Sequence, residues 1–139
     1  MPSFTDVLIV FIGGGIGSVL RFTASLYITL YLAETRLAGH LPVATLSVNV
    51  LGSLLIGVVV ALAGEHLALL SPSARLLLAV GFCGGFTTFS TFSLETLSLV
   101  QTGRLALAVT YVLLSIIFCP LATASGLGIT YWYWKRLSG

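Results

Sequence analysis

The run Gly81-Phe82-Cys83-Gly84-Gly85-Phe86-Thr87-Thr88-Phe89-Ser90-Thr91-Phe92-Ser93-Leu94-Glu95 gathers glycines, hydroxyls and phenylalanines inside an apolar region long enough to be a membrane helix. A lipid-facing helix would carry Leu, Ile and Val there. Adjacent Gly84 and Gly85 favour a break in the helix, and a break at membrane depth strands carbonyl and amide groups that hydrocarbon cannot satisfy. Something polar, an ion or another protein surface, is therefore expected at this level. Phe89 and Phe92 fall three residues apart on one side of the resumed helix, with Glu95 one further turn along. Taken alone, a phenylalanine pair at that spacing reads as packing.

Other polar residues sit in the same apolar setting. Asn49, Ser53 and Gly57 recur every four residues and so line one helix face. The Asn49 amide can bond a neighbouring helix, or its NH₂ can offer donors to a dehydrated anion. Arg21 also lies within an apolar run, where a guanidinium faces a watery cavity or snorkels to the interface. Tyr111, Ser115 and Cys119 form a narrow polar stripe at four-residue intervals, and Pro120 is expected to bend that helix and free the Ile116 carbonyl. Cys83 and Cys119 lack the C-x-x-C or Cys/His spacing of metal and redox sites and read as buried thiols. His66 reads as a loop residue. No nucleophile and base pair, metal-ligand set or phosphate-binding loop is recognisable, so no catalytic residue is assigned and the chain is not read as an enzyme.

These residues need elements to hold them, and composition says which kind. The chain has 139 residues, 58% of them hydrophobic and 7% charged, with a mean hydropathy of +1.12. A soluble domain this small cannot hide that much apolar surface, so an all-α integral membrane protein is expected. The net charge of +2 and the lack of a basic cluster outside the C-terminal end argue against nucleic acid. Four spans are predicted, over 7–32, 42–64, 73–101 and 105–134, each long enough for a hydrocarbon core of about 30 Å. The first reads as a span and not a cleaved signal, because it lacks a basic start and stays apolar too long. Gly13 and Gly17 within it make a G-x-x-x-G pair that lets another helix approach closely. Glu34, Thr35, Arg36, Gly39 and His40 form the first connection, and Ser71-Pro72 reads as an N-cap with proline in the first turn. Thr102-Gly103-Arg104 reads as a tight turn, and Tyr131-Trp132-Tyr133-Trp134-Lys135-Arg136 as an aromatic belt with basic anchors. Residues 1–139 form one domain.

Charge leaves the orientation open. Four spans put both ends and the second connection on one side, with Arg75, Lys135 and Arg136, and Arg36 and Arg104 on the other, with Arg21 leaning that way from inside its span. The positive-inside bias is then close to nil, so the chain can insert both ways and pair as an antiparallel, dual-topology homodimer. Twofold symmetry would let the broken third span face its own copy. Carbonyls from two subunits would then converge into an oxygen cage suited to a small cation.

The segment from Gly81 to Glu95 closely resembles the third-span signature of the Fluc, or CrcB, family of fluoride channels. Gly13-Gly14-Gly15-Ile16-Gly17-Ser18-Val19-Leu20-Arg21 and Val48-Asn49-Val50-Leu51-Gly52 are similar to that family's first and second spans, and the likeness covers essentially the whole chain. The resemblance implies an antiparallel homodimer in a prokaryotic plasma or inner membrane, conducting fluoride passively and lowering cytoplasmic fluoride, with a structural sodium ion on the twofold axis. It implies that Gly84 and Thr87 offer backbone carbonyls to sodium, that Asn49, Phe89, Phe92, Tyr111 and Ser115 line the fluoride pathway, and that Arg21 stands in the vestibule. Cys119 departs from the serine expected in the fourth-span track. Fluoride holds water tightly, so its pore needs close, dry donors; amide and hydroxyl groups and the electropositive rim of a phenylalanine ring are such donors. Glu95 is expected to hydrogen-bond within the bundle. The competing classes are a proton-coupled exporter of cationic drugs, for which only Asp6 lies near the first span, and a non-conducting helix-packing subunit.

Overall fold

Ser3 and Asp6 start the first helix by bonding each other's backbone: the Asp6 carboxylate accepts from the Ser3 N–H at 2.8 Å and the Ser3 hydroxyl accepts from the Asp6 N–H at 3.1 Å. This reciprocal box satisfies two of the orphan donors of a helix start, and helix α1 then runs Phe4–Ala33. The computed structural model describes residues 1–33, 41–64 and 67–138. The connection carrying Glu34, Thr35, Arg36, Gly39 and His40, and the loop residues Glu65 and His66, lie outside the described residues.

Pro42 precedes α2 (Val43–Ala63). Ser71 caps the third span as its sequence predicts, its hydroxyl accepting from the Ala74 N–H at 3.2 Å with Pro72 in the first turn. That span covers Pro72–Gln101 in two pieces, α3 (72–86) and α4 (Phe89–Gln101). Within α3, Leu76–Cys83 is wound wide, in the π form with bonds reaching five residues back. Gly103, at φ +74°, closes the turn after α4, and the Arg104 N–H reaches back to the Leu99 carbonyl at 2.8 Å. The last helix, α5 (Leu105–Ser138), passes through Pro120 and extends past the predicted limit at residue 134.

All four spans are long and apolar enough to cross a bilayer, and α2 is the most enclosed of them. Small residues set its contacts and those of α1. A Cβ on Gly13 would stand 3.0 Å from the Phe82 nitrogen, and one on Gly17 would stand 2.9 Å from that of Phe86. Likewise, a Cβ on Gly126 of α5 would stand 3.0 Å from the Val58 nitrogen of α2. The backbones thus approach more closely than any side chain would permit, which is how helices associate where lipid removes the hydrophobic drive. A smaller apolar core of Leu99, Ala108 and Tyr111 joins α4 to α5, with Leu46 and Phe92 packed against it.

One expectation shifts. Gly84 is helical, at φ −63° and ψ −37°, and the chain becomes extended only at Thr87 (ψ 159°) and Thr88 (φ −149°). Gly85 packs instead, a Cβ there standing 3.0 Å from the Gly14 Cα. The interruption near the middle of the third span is present, but it follows the glycine pair, because competing hydrogen bonds and not glycine flexibility open it.

Candidate functional site

Asn49 makes the break. From the middle of α2 its Oδ1 accepts from the Thr88 N–H at 2.8 Å, and its Nδ2 donates to the Thr88 carbonyl at 3.1 Å. One side chain thus pairs both backbone groups of one extended residue, as a neighbouring strand would. The Thr88 hydroxyl then caps α4, accepting from the Thr91 N–H at 3.2 Å. These bonds divert the N–H groups that an unbroken helix would give to the carbonyls four residues earlier. Thr88 is the ordinary partner of the Gly84 carbonyl, and Thr91 that of Thr87. Both carbonyls are left without their helical donors.

The intervening Gly85 carbonyl is answered from α1. Arg21 Nε donates to it at 3.1 Å, and the Ser18 hydroxyl stands 3.5 Å away. A guanidinium at the C-terminal end of α3 also sits at the negative end of that helix's dipole. Arg21 is therefore half-buried against the break, and part of its donor set is committed there.

A cavity of about 580 Å³ opens beside the interruption. Asn49, Gly52 and Ser53 of α2 line it, with Cys83 and Gly84 of α3, Thr87 and Thr88, Phe89 and Phe92 of α4, and Ser115, Cys119 and Pro120 of α5. Six of the site residues expected from sequence, Asn49, Gly84, Thr87, Phe89, Phe92 and Ser115, thus meet around one space. The two phenylalanine rings are tilted at 43° with centroids 5.5 Å apart. Phe89 is 79% exposed, so this wall of the cavity is open in a single chain. One subunit alone therefore does not enclose a small ion there.

Tyr111 is placed differently. It is fully buried, lies behind the cavity with its ring 5.1 Å from that of Phe92, and donates its hydroxyl to Glu95 at 2.7 Å. The other Glu95 oxygen accepts from the Thr45 hydroxyl at 2.8 Å. Glu95 accordingly bonds within the bundle, as the sequence suggests. Ser115 reaches the cavity, but its hydroxyl donates to the Tyr111 carbonyl at 2.8 Å. Thr45 was not singled out beforehand; it is the next member, one turn earlier, of the series Asn49, Ser53, Gly57. Thr123 similarly ties α5 to α2 by donating to the Ser53 carbonyl at 3.0 Å.

The donor chemistry at the break is of two kinds. The Gly84 and Thr87 carbonyls are neutral, hard oxygens of residues that line the cavity. Such oxygens suit an alkali cation and not a thiophilic metal. Among the described residues, no group of three or more His, Cys, Asp or Glu side chains could hold a metal ion. On the other side, Thr88 caps the start of α4 and lines the cavity with Phe89, and one Asn49 N–H bonds the Thr88 carbonyl while the other is not used by Thr88, so the positive end of a helix dipole and an amide donor lie beside that space.

Four membrane-crossing helices, one interrupted at mid-depth where its polar backbone lines a cavity, define a multi-pass integral membrane protein of the kind that handles ions. A family model described as "CrcB-like protein, Camphor Resistance (CrcB)" matches residues 8–127, and the chain belongs to this family, as a multi-pass protein of the prokaryotic cell membrane. A protein of Serratia proteamaculans named "Fluoride-specific ion channel FluC" is 46% identical over 112 residues, 81% of this chain and 83% of that protein. A Yersinia pestis protein named "Fluoride-specific ion channel FluC 1" is 43% identical over 113 residues, covering 81% and 84%. The Chlorobium phaeobacteroides channel of the same name as the first is 41% identical over 126 residues, covering 91% and 92%.

Proposed function

We propose that this chain is a fluoride channel that works as an antiparallel homodimer of oppositely inserted copies and lets fluoride leave the cell passively. The observation that carries the proposal is that relatives covering four-fifths of the chain are named for fluoride. Geometry supports it, because the segment most like that family is the one the fold breaks open onto a cavity lined by Asn49, Phe89, Phe92 and Ser115. The open wall at Phe89 and the near-even charge on the two sides support an inverted second copy that would narrow the passage. Selectivity would follow from width and dehydration. Tyr111 enters as the backing of Phe92, and Arg21 raises anion concentration at the mouth with the guanidinium nitrogens not bonded to Gly85.

The same reading puts a structural sodium ion on the twofold axis, held by the Gly84 and Thr87 carbonyls of both copies. Bound there, the cation would coordinate carbonyls that hydrocarbon leaves unsatisfied and tie the two copies together. The test is electrode-detected fluoride release from liposomes holding the purified chain. Release of fluoride with retention of chloride is expected; no release from an intact dimer overturns the channel. Replacing sodium by N-methyl-D-glucamine throughout purification is expected to abolish release and split the dimer, and full activity under that exchange removes the sodium.

A further inference from the structure

The C-terminal end of α5 has no part in the cavity and lies beyond residue 127, where the family match stops. Its depth can be read from the break. Ser115, Ile116, Cys119 and Pro120 flank the cavity beside Thr87 and Thr88, which stand at the middle of the Pro72–Gln101 span. Helix α5 therefore crosses the bilayer centre near residue 118. At about 1.5 Å per residue, Trp132 stands about 21 Å from that level and Lys135 and Arg136 about 26 Å. The hydrocarbon ends at about 15 Å and the headgroup layer at about 22 Å. Trp132 thus sits among headgroups, Trp134 at about 24 Å at their outer edge, and the two cations just beyond it.

Among the described residues this end is exposed and its side-chain charges are of one sign. Trp132 and Tyr133 are 59% and 60% exposed, and Lys135 and Arg136 are exposed beside them. The Arg136 guanidinium lies over the Trp132 ring, 5.1 Å from its centroid, which holds the charge against the helix at headgroup level. No acidic residue follows Glu95 in the sequence. Arg75, exposed at the start of α3, adds a third cation on the same side of the membrane. Asp6 is the acidic group on that side among the described residues, and its carboxylate is bonded to the Ser3 backbone.

We propose that residues 131–136 form a docking surface for anionic phospholipid headgroups. The aromatic rings fix the depth, and Lys135 and Arg136 select negative lipid phosphates that carry no neighbouring ammonium. A zwitterionic headgroup offers the same phosphate with its charge cancelled. Each basic side chain near such a surface is worth about a fivefold preference, so the pair implies at least about a tenfold preference over a zwitterionic lipid.

Trp132 and Trp134 are the chain's two tryptophans, so tryptophan fluorescence, excited to the red of the tyrosine band, reports on this surface alone. The full chain is placed in mixed phosphatidylcholine and phosphatidylglycerol vesicles in which a nitroxide at the glycerol end of the acyl chain labels one lipid or the other at equal mole fraction. Nitroxide-labelled phosphatidylglycerol is expected to quench with at least about tenfold higher apparent affinity. In the Lys135→Gln, Arg136→Gln double variant the ratio falls to about one, while fluoride release from the same vesicles, read as proof of an intact fold, is retained. Equal quenching of the native chain by both lipids, quenching by neither, or a preference that survives the double variant overturns the proposal.

Discussion

Asn49→Ala removes the side chain that holds the third span open. The alanine leaves the Thr88 N–H and carbonyl without the bonds at 2.8 and 3.1 Å that Asn49 gave them. Each stranded backbone group costs about 1–3 kcal/mol. Thr88 borders the cavity, where water can restore part of this, so the lower half of the range, about 2–4 kcal/mol for the pair, is the appropriate figure. An unbroken helix through Thr87 and Thr88 would instead satisfy both groups internally, so the whole penalty falls on the broken form. At about 1.4 kcal/mol per factor of ten, the broken form loses roughly 30-fold to 700-fold in population. Fluoride release from liposomes should fall by a similar factor. Backbone carbon shifts separate this structural role from that of a pore-lining amide: Thr87 and Thr88 should turn from extended to helical in the variant, as the Thr88 N–H returns to the Gly84 carbonyl. Release within about threefold of the native rate, or extended shifts retained at Thr87 and Thr88, would refute the claim that Asn49 creates the break.

Other substitutions test other links. Phe92→Ile removes both a ring edge on the cavity and the ring pair with Tyr111 at 5.1 Å; aromatic pairs are worth about 0.5–1.5 kcal/mol, so fluoride throughput should drop roughly tenfold with the dimer still assembled on size exclusion. An unchanged rate removes the ring-edge role. Gly17→Val would drive a Cβ to 2.9 Å from the Phe86 nitrogen; rigid backbone cannot yield, and overpacking costs about 1–3 kcal/mol or more, so monodisperse protein in detergent should be largely lost. Normal yield and melting temperature would show that α1 and α3 do not depend on this contact. Tyr111→Phe deletes the 2.7 Å bond to Glu95 and should lower stability by about 1–3 kcal/mol, seen as a lower melting temperature in detergent; an unshifted melt refutes it.

Much of the architecture was legible in residue types and spacing. The length of each apolar run gave the spans, Ser71-Pro72 and Thr102-Gly103-Arg104 marked a helix start and a turn, and Gly13 and Gly17 announced a close helix contact. These signals are local: each follows from one segment's fit to lipid, or from which dihedrals and donors a few adjacent residues possess. The motif spanning Gly81 to Glu95 also pointed to the site, since hydroxyls and glycines at membrane depth conflict with a plain lipid-facing helix.

What the sequence could not decide was which of two polar roles each residue takes, because that depends on what another helix brings within about 3 Å. Adjacent glycines suggested a break at Gly84, yet Gly85 is spent on contact with Gly14, and the chain opens at Thr87 and Thr88 because Asn49, 39 residues away, outbids the helix for the Thr88 backbone. The polar stripe of α5 likewise divides only in three dimensions. Tyr111 turns into the core to meet Glu95 and Thr45, while Ser115 and Cys119 reach the cavity. Periodicity assigns residues to a face, and only the packing of one helix on another determines whether that face meets a hydrogen-bond partner or an open space.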